Sequence, residues 1–159
     1  RWMANMVDTG GLLDSILAVA HPRLYAAAKE VQRRLCERVA EIQEHVINWP
    51  TVYNATQVMV NRETVHHRDT TTRPGWFDMC ATVGSYGETV VMSFRNLAVC
   101  VPYDTGSVAL VASRVVIHTV PRVPPDRIAY AFFMCDAVHK WLAVEDPGWT
   151  KFEDTLKAG

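Results

Sequence analysis

Apolar residues follow two different rhythms along this chain. Between residues 11 and 47 they recur at helical spacing. Leu12, Leu13, Ile16, Leu17 and Val19 crowd one short segment, and His21-Pro22 interrupts it. Leu24, Ala27, Val31, Leu35, Val39 and Ile42 then follow at intervals of three and four. The opposite face carries Lys29, Arg33, Arg34, Glu37, Arg38, Glu41 and Glu44, several of them placed for i,i+4 pairing. Trp49-Pro50 closes the stretch. Such a helix is expected to pack its apolar stripe on a core; a partner-binding helix is the minor option.

From residue 55 the pattern shortens into runs rich in Val, Ile, Phe, Tyr and Thr. Strands are predicted at 56–61, 76–83, 88–94, 97–102, 107–112, 114–120 and 127–134. Gly84-Ser85-Tyr86-Gly87, Asp104-Thr105-Gly106-Ser107 and the proline-rich 121–126 supply the turns between them. A hairpin through 121–126 would set 114–120 beside 127–134. Many short strands with tight connections predict an antiparallel sandwich or a jelly-roll barrel, and helices followed by strands make the class α+β. A last helix is expected over 137–144. The expected organisation is a helical segment (1–50) packed against a barrel core (51–144), with a tail (145–159), all in a single domain.

Bulk properties change this picture little. The chain has 159 residues, 49% hydrophobic and 21% charged, enough for a core without disulfide support. A net charge of −1, with acids and bases spread evenly, gives no broad basic footprint of a nucleic-acid binder. Cys36, Cys80, Cys100 and Cys135 are far apart and form no C-x-x-C pair, so they read as free thiols in a reducing compartment. No apolar run approaches membrane-spanning length and no signal-peptide pattern opens the chain, so no membrane partner and an intracellular location are expected. The chain starts at Arg1 rather than methionine, as a fragment of a longer protein would.

The candidate chemistry begins with His67-Arg68-Asp69. Together with His118 it makes two histidines and a carboxylate, the set that holds a non-haem Fe(II) and leaves coordination positions open. His66 has an arginine, not a carboxylate, two residues on, so His67 is the better ligand. In isolation His118, flanked by β-branched residues, reads as a core histidine. Arg127 opens the next apolar strand, where a buried cation needs an anion. In the expected hairpin His118 and Arg127 become cross-strand neighbours on one face. Arg127 then meets a 2-oxo acid carboxylate or a structural acid, and the whole set points to an oxygenase using Fe(II) and a 2-oxo acid.

The flanking segments add a resemblance. Val60-Asn61-Arg62-Glu63-Thr64-Val65-His66-His67-Arg68-Asp69, Gly75-Trp76-Phe77-Asp78 and Val83-Gly84-Ser85-Tyr86-Gly87 resemble the TET/JBP branch of Fe(II)/2-oxoglutarate dioxygenases. The likeness is greatest to its fungal, transposon-associated members. Val115-Val116-Ile117-His118 and Asp126-Arg127-Ile128-Ala129-Tyr130-Ala131-Phe132-Phe133-Met134 continue it in order, over roughly residues 55–142. The resemblance implies a double-stranded β-helix, iron on His67, Asp69 and His118, and Arg127 on the distal carboxylate of 2-oxoglutarate, with Arg62 near the co-substrate. It implies oxidation, with O2, of the methyl group of a pyrimidine base in DNA, 5-methylcytosine before thymine, and hence a nuclear location.

A base must leave the duplex stack to reach such a pocket. Trp76, Phe77 and Tyr86 are candidate walls, with barrel core as the plainer role, above all for Phe77. His139 is a candidate for a base edge, or an exposed helix residue. Arg62, Arg68 and Arg73 would meet phosphates or pair with Glu63, Asp69 or Asp78. The family's usual DNA-gripping N-terminal segments have little counterpart here. An AlkB-like enzyme would share the iron chemistry, but the second arginine usual there is replaced by Phe133. Other hydroxylases, and a silent barrel used as an interaction module, are the remaining alternatives.

Overall fold

The computed structural model describes residues 2–86, 90–123 and 126–156. Gly87, the first residues of the strand expected at 88–94 and Pro124-Pro125 lie outside them. The chain divides into two compact units, one of residues 1–54 with 134–159 and one of residues 55–133.

The first unit is helical: α1 (Val7–Ala20), α2 (Pro22–Arg38), α3 (Gln43–Ile47), α4 (Asp136–Trp141) and α5 (Phe152–Leu156). The break expected at His21-Pro22 separates α1 from α2. Proline suits the first turn of a helix, where its missing N–H costs nothing, and the Leu24 N–H donates to His21 Nδ1 at 3.1 Å. The helix does not run on to residue 47, because Val39 turns extended and ends α2 at Arg38. Arg34 donates to the carbonyls of Leu142 and Ala143, satisfying acceptors at the end of α4. The segment expected as a loose tail forms α5, and Asp154 pairs with Arg23 at 2.9 Å.

Among the described residues the second unit holds eight strands: β1 (Ala55–Val60), β2 (Thr64–His67), β3 (Asp78–Gly84), β4 (Val91–Phe94), β5 (Val99–Pro102), β6 (Val108–Val111), β7 (His118–Val120) and β8 (Arg127–Phe133). They form two four-stranded antiparallel sheets, β1-β8-β3-β6 and β2-β7-β4-β5. Between the sheets lies an apolar cluster of Tyr86, Val90, Met92, Tyr103, Val111, Val120 and Val123. Among the described residues no strand pairing joins the two sheets into a closed barrel. The α+β class therefore holds, with two facing sheets.

Two expectations about strands are corrected. Residues 64–67 form β2, which has one aliphatic residue, Val65, and gives no apolar signal. The expected hairpin does not form: β7 pairs with β2 and β4, whereas β8 pairs with β1 and β3. The strand expected over 114–120 shrinks to 118–120 because the Val115 and Val116 N–H groups both bond the Ala112 carbonyl in a turn. That turn and the 121–126 connection carry the chain between sheets.

Candidate metal centre

Two strands deliver the histidines. His67 ends β2 and His118 begins β7, where they are direct cross-strand partners. Their rings lie 4.2 Å apart and tilted by 53°. The register of β2 shifts between Thr64 and His67, an irregularity of the kind that re-aims side chains beside functional sites. Asp69 follows in the loop, tethered by its N–H to the Ser113 carbonyl at 3.1 Å. Its oxygens lie 3.4 Å from His67 Nε2 and 3.8 Å from His118 Nε2.

Hydrogen bonding orients both rings. His67 Nδ1 is 2.8 Å from the Val65 carbonyl and His118 Nδ1 is 3.1 Å from the Val116 carbonyl. A carbonyl only accepts, so each Nδ1 carries a proton and Nε2 is the atom each ring turns toward Asp69. Burial holds the His118 pKa below its ordinary value, and the neighbouring His67 lowers it further. That favours the neutral, ligating form. One ligand atom from each of His67, Asp69 and His118 lies within 4.8 Å of the others, a group that can hold a metal ion. Three protein ligands would leave further coordination positions for other molecules.

Arg127 enters the same site from the other sheet. The two residues expected side by side in a hairpin, His118 and Arg127, instead face each other between the sheets. They line a cavity of about 70 Å³ together with His67, Asp69, Cys80 and Tyr103. Arg127 is 2% exposed, and its Nε and Nη1 have no hydrogen-bond partner. Its guanidinium carbon sits 6.0 Å from the centre of the Tyr103 ring, at the outer limit of a cation–π contact. Asn61 clamps its backbone: the Asn61 carboxamide oxygen accepts the Arg127 N–H at 2.7 Å, and the Asn61 N–H donates to the Arg127 carbonyl at 2.8 Å. Opposite Arg127 in β3 is Gly84 at φ +148°, where a Cβ would fall 1.9 Å from the Asp126 carbonyl oxygen. Only glycine admits that approach.

A second cavity, of about 250 Å³, also begins at Asp69 and is lined by Gln57, Arg68, Asp78, Cys80, Ala131 and Phe133. Strand alternation explains this lining: Asp78 and Cys80 share one face of β3, and Ala131 and Phe133 share one face of β8. Asp78 is 3% exposed; its Oδ2 accepts the Ser113 hydroxyl, and the Thr72 hydroxyl lies beside the same carboxyl group. Burial, with Asp69 nearby, pushes its pKa up to about 7. Burial likewise pushes the Cys80 thiol up to about 12, so it stays protonated beside the site.

The other candidates fall elsewhere. Arg62 is exposed in the β1–β2 loop and lines neither cavity. Trp76 is fully buried ahead of β3 with Arg73 over its ring at 5.1 Å, and Phe77 beside it lines neither cavity. Tyr86 is part of the inter-sheet core, its hydroxyl 3.0 Å from both the Tyr103 carbonyl and the Thr82 hydroxyl. Arg68 donates to the Val115 carbonyl at 3.1 Å. His139 is buried within the helical unit. That unit has an apolar cavity of about 370 Å³ between Val31, Leu35, Ile42, Val46, Trp49 and Tyr53. Among the described residues no helix is long and apolar enough to cross a membrane. Sequence reading missed Gln57, Tyr103 and the burial of Asp78; the alternation of β3 with Asp78 and Cys80 in phase was the available signal. No protein-family model and no curated protein matches this chain.

Proposed function

We propose that this protein is an Fe(II)/2-oxoglutarate-dependent dioxygenase that oxidises the methyl group of a pyrimidine base in DNA, converting 5-methylcytosine to 5-hydroxymethylcytosine. The observation that carries the reading is the pairing of the His67–Asp69–His118 group with a buried arginine lacking partners for Nε and Nη1, in one cavity. Two histidines and a carboxylate alone also suit zinc. Arg127 tips the choice, because a buried guanidinium fork is matched by a carboxylate, and a 2-oxo diacid brings one carboxylate to the metal and another to the arginine. The cavity has room for about five waters at ~10–15 Å³ each, which suits a small diacid.

In this reading the two sheets are the halves of a double-stranded β-helix of the TET/JBP kind. Bound iron would supply activation of O2 with the 2-oxo acid and transfer of oxygen to a C–H bond. His67, Asp69 and His118 would hold it, the Nδ1–H groups of the two histidines keeping each Nε2 in line. Arg127 would orient the co-substrate by its far carboxylate, and Tyr103 would shield that ion pair from water. The choice of DNA and of a base follows the resemblance in sequence, and it places the enzyme in the nucleus.

The test supplies Fe(II), ascorbate and 2-oxoglutarate with methylated and unmethylated oligonucleotides and analyses the nucleosides by mass spectrometry. Formation of 5-hydroxymethylcytosine, lost in His67→Ala, is the expected result. Folded, metal-loaded protein that neither oxidises a base nor releases succinate would sink the proposal.

A further inference from the structure

Two arginines lace the loop that carries Asp69 to the turn beside it. The Asp69 N–H donates to the Ser113 carbonyl at 3.1 Å. Around that bond, Arg68 Nε donates to the Val115 carbonyl at 3.1 Å and Arg114 Nη1 to the Thr70 carbonyl at 2.6 Å. Each guanidinium carries five N–H donors and spends one of them in this way. Both residues are exposed, and among the described residues neither meets a carboxylate. An arginine already held at one N–H has less side-chain freedom to lose, so capturing an anion costs it less. Every Lys or Arg position between residues 55 and 133 is an arginine, whose planar fork matches the oxygens of a phosphate.

The charges beside the pair select the partner. Arg68 also lines the second cavity, of about 250 Å³, whose walls include Asp69 and Asp78. A hollow with two carboxyl groups in its walls repels the side chains of an acidic peptide. An exposed cation pair next to it fits a chain with an anionic backbone and uncharged planar rings as side groups, which describes a nucleic-acid strand. We propose that Arg68 and Arg114 are phosphate-binding residues that seat the backbone of a single DNA strand beside the metal loop. The inference rests on the proposed function for the choice of DNA, and it needs none of the iron chemistry.

Binding of a short fluorescent single-stranded DNA containing 5-methylcytosine is measured by anisotropy between about 50 and 200 mM NaCl, on the full chain with Mn(II) and 2-oxoglutarate. Each phosphate contact on a single strand contributes about 0.7 to the slope of log K against log salt. Arg68→Gln and Arg114→Gln are each expected to flatten the slope by about 0.7, and the double variant by about 1.4. Arg68→Lys and Arg114→Lys keep the charge and lose the fork, so the slope should stay and the affinity fall several-fold. Arg33→Gln, which removes an exposed charge from α2, is expected to change neither. Absence of binding by wild type, an unchanged slope in the folded glutamine variants, or an unchanged affinity in the lysine variants overturns the assignment. Displacement of the strand by polyglutamate as readily as by oligothymidylate of equal charge overturns the choice of partner. Succinate release with Fe(II), 2-oxoglutarate and no DNA is read separately. A flattened slope without succinate rejects the dioxygenase alone; succinate with an unchanged slope rejects the arginine pair alone.

Discussion

The two sheets carry their polar site residues in opposite ways. The β2-β7-β4-β5 sheet is built from strands of three or four residues, and two of the three candidate metal ligands on and just after it, His67 and Asp69, are part-exposed. The β1-β8-β3-β6 sheet, with its longer β3 and β8, buries an arginine and an aspartate almost completely. The arginine lacks partners for Nε and Nη1 within the protein. On the first sheet water can solvate the candidate ligands. On the second the fold bears the desolvation cost before any ligand binds, so Arg127 is rigid and preorganised. In the proposed function, metal capture and co-substrate binding therefore fall to different sheets.

That contrast breaks most visibly through pH. The folded-state pKa of Asp78 is raised from 3.8 to about 7, so the native protein holds a proton that the unfolded chain releases. The associated stability is fully present below about pH 4 and is lost as the pH rises through about 7, at most about 4 kcal/mol. Chemical denaturation of chelator-treated protein is expected to show this loss, and Asp78→Asn to remove it and to be the more stable at pH 8. A wild-type curve with the same slope as the variant's would mean that Asp78 is solvated after all.

Arg127→Met sharpens the same contrast with a smaller effect. Replacing a buried charge by an apolar side chain of similar length is expected to stabilise the protein by about 1–3 kcal/mol. The variant should bind 2-oxoglutarate at least about 30-fold more weakly by calorimetry, since truncating one side of a buried charge pair costs about 2–5 kcal/mol. Destabilisation instead would show that Arg127 serves the fold rather than a ligand.

How far these features were legible in the sequence follows from the range of each interaction. The clustering of the candidate ligands was readable because His67 and Asp69 share one triplet and His118 sits in a β-branched run. β2 was not readable: an exposed strand with one aliphatic residue, specified by its pairing with β7, has no apolar alternation. The 121–126 connection reads locally as a hairpin turn, yet β7 and β8 belong to different sheets, a choice made by long-range pairing. The approach of His118 to Arg127 was thus anticipated through the wrong geometry. Trp76 and Tyr86 attracted attention as aromatics but are spent on packing. Asp78 passed as an ion-pair partner because burial of a carboxylate leaves no local signature.

The smallest effect tests whether the sheets are independent. Asn61 adopts φ +50°, and its side chain holds the Arg127 N–H. Alanine loses that hydrogen bond and keeps an unfavourable backbone, costing about 1–2 kcal/mol; glycine loses the bond but relieves the strain and should cost less. Both variants let the start of β8 drift, so the KM for 2-oxoglutarate should rise a few-fold. Metal affinity, set by β2, β7 and the Asp69 loop, should not change. Loss of metal in step with the co-substrate would show that the sheets move as one body, and the division of labour between them would fail.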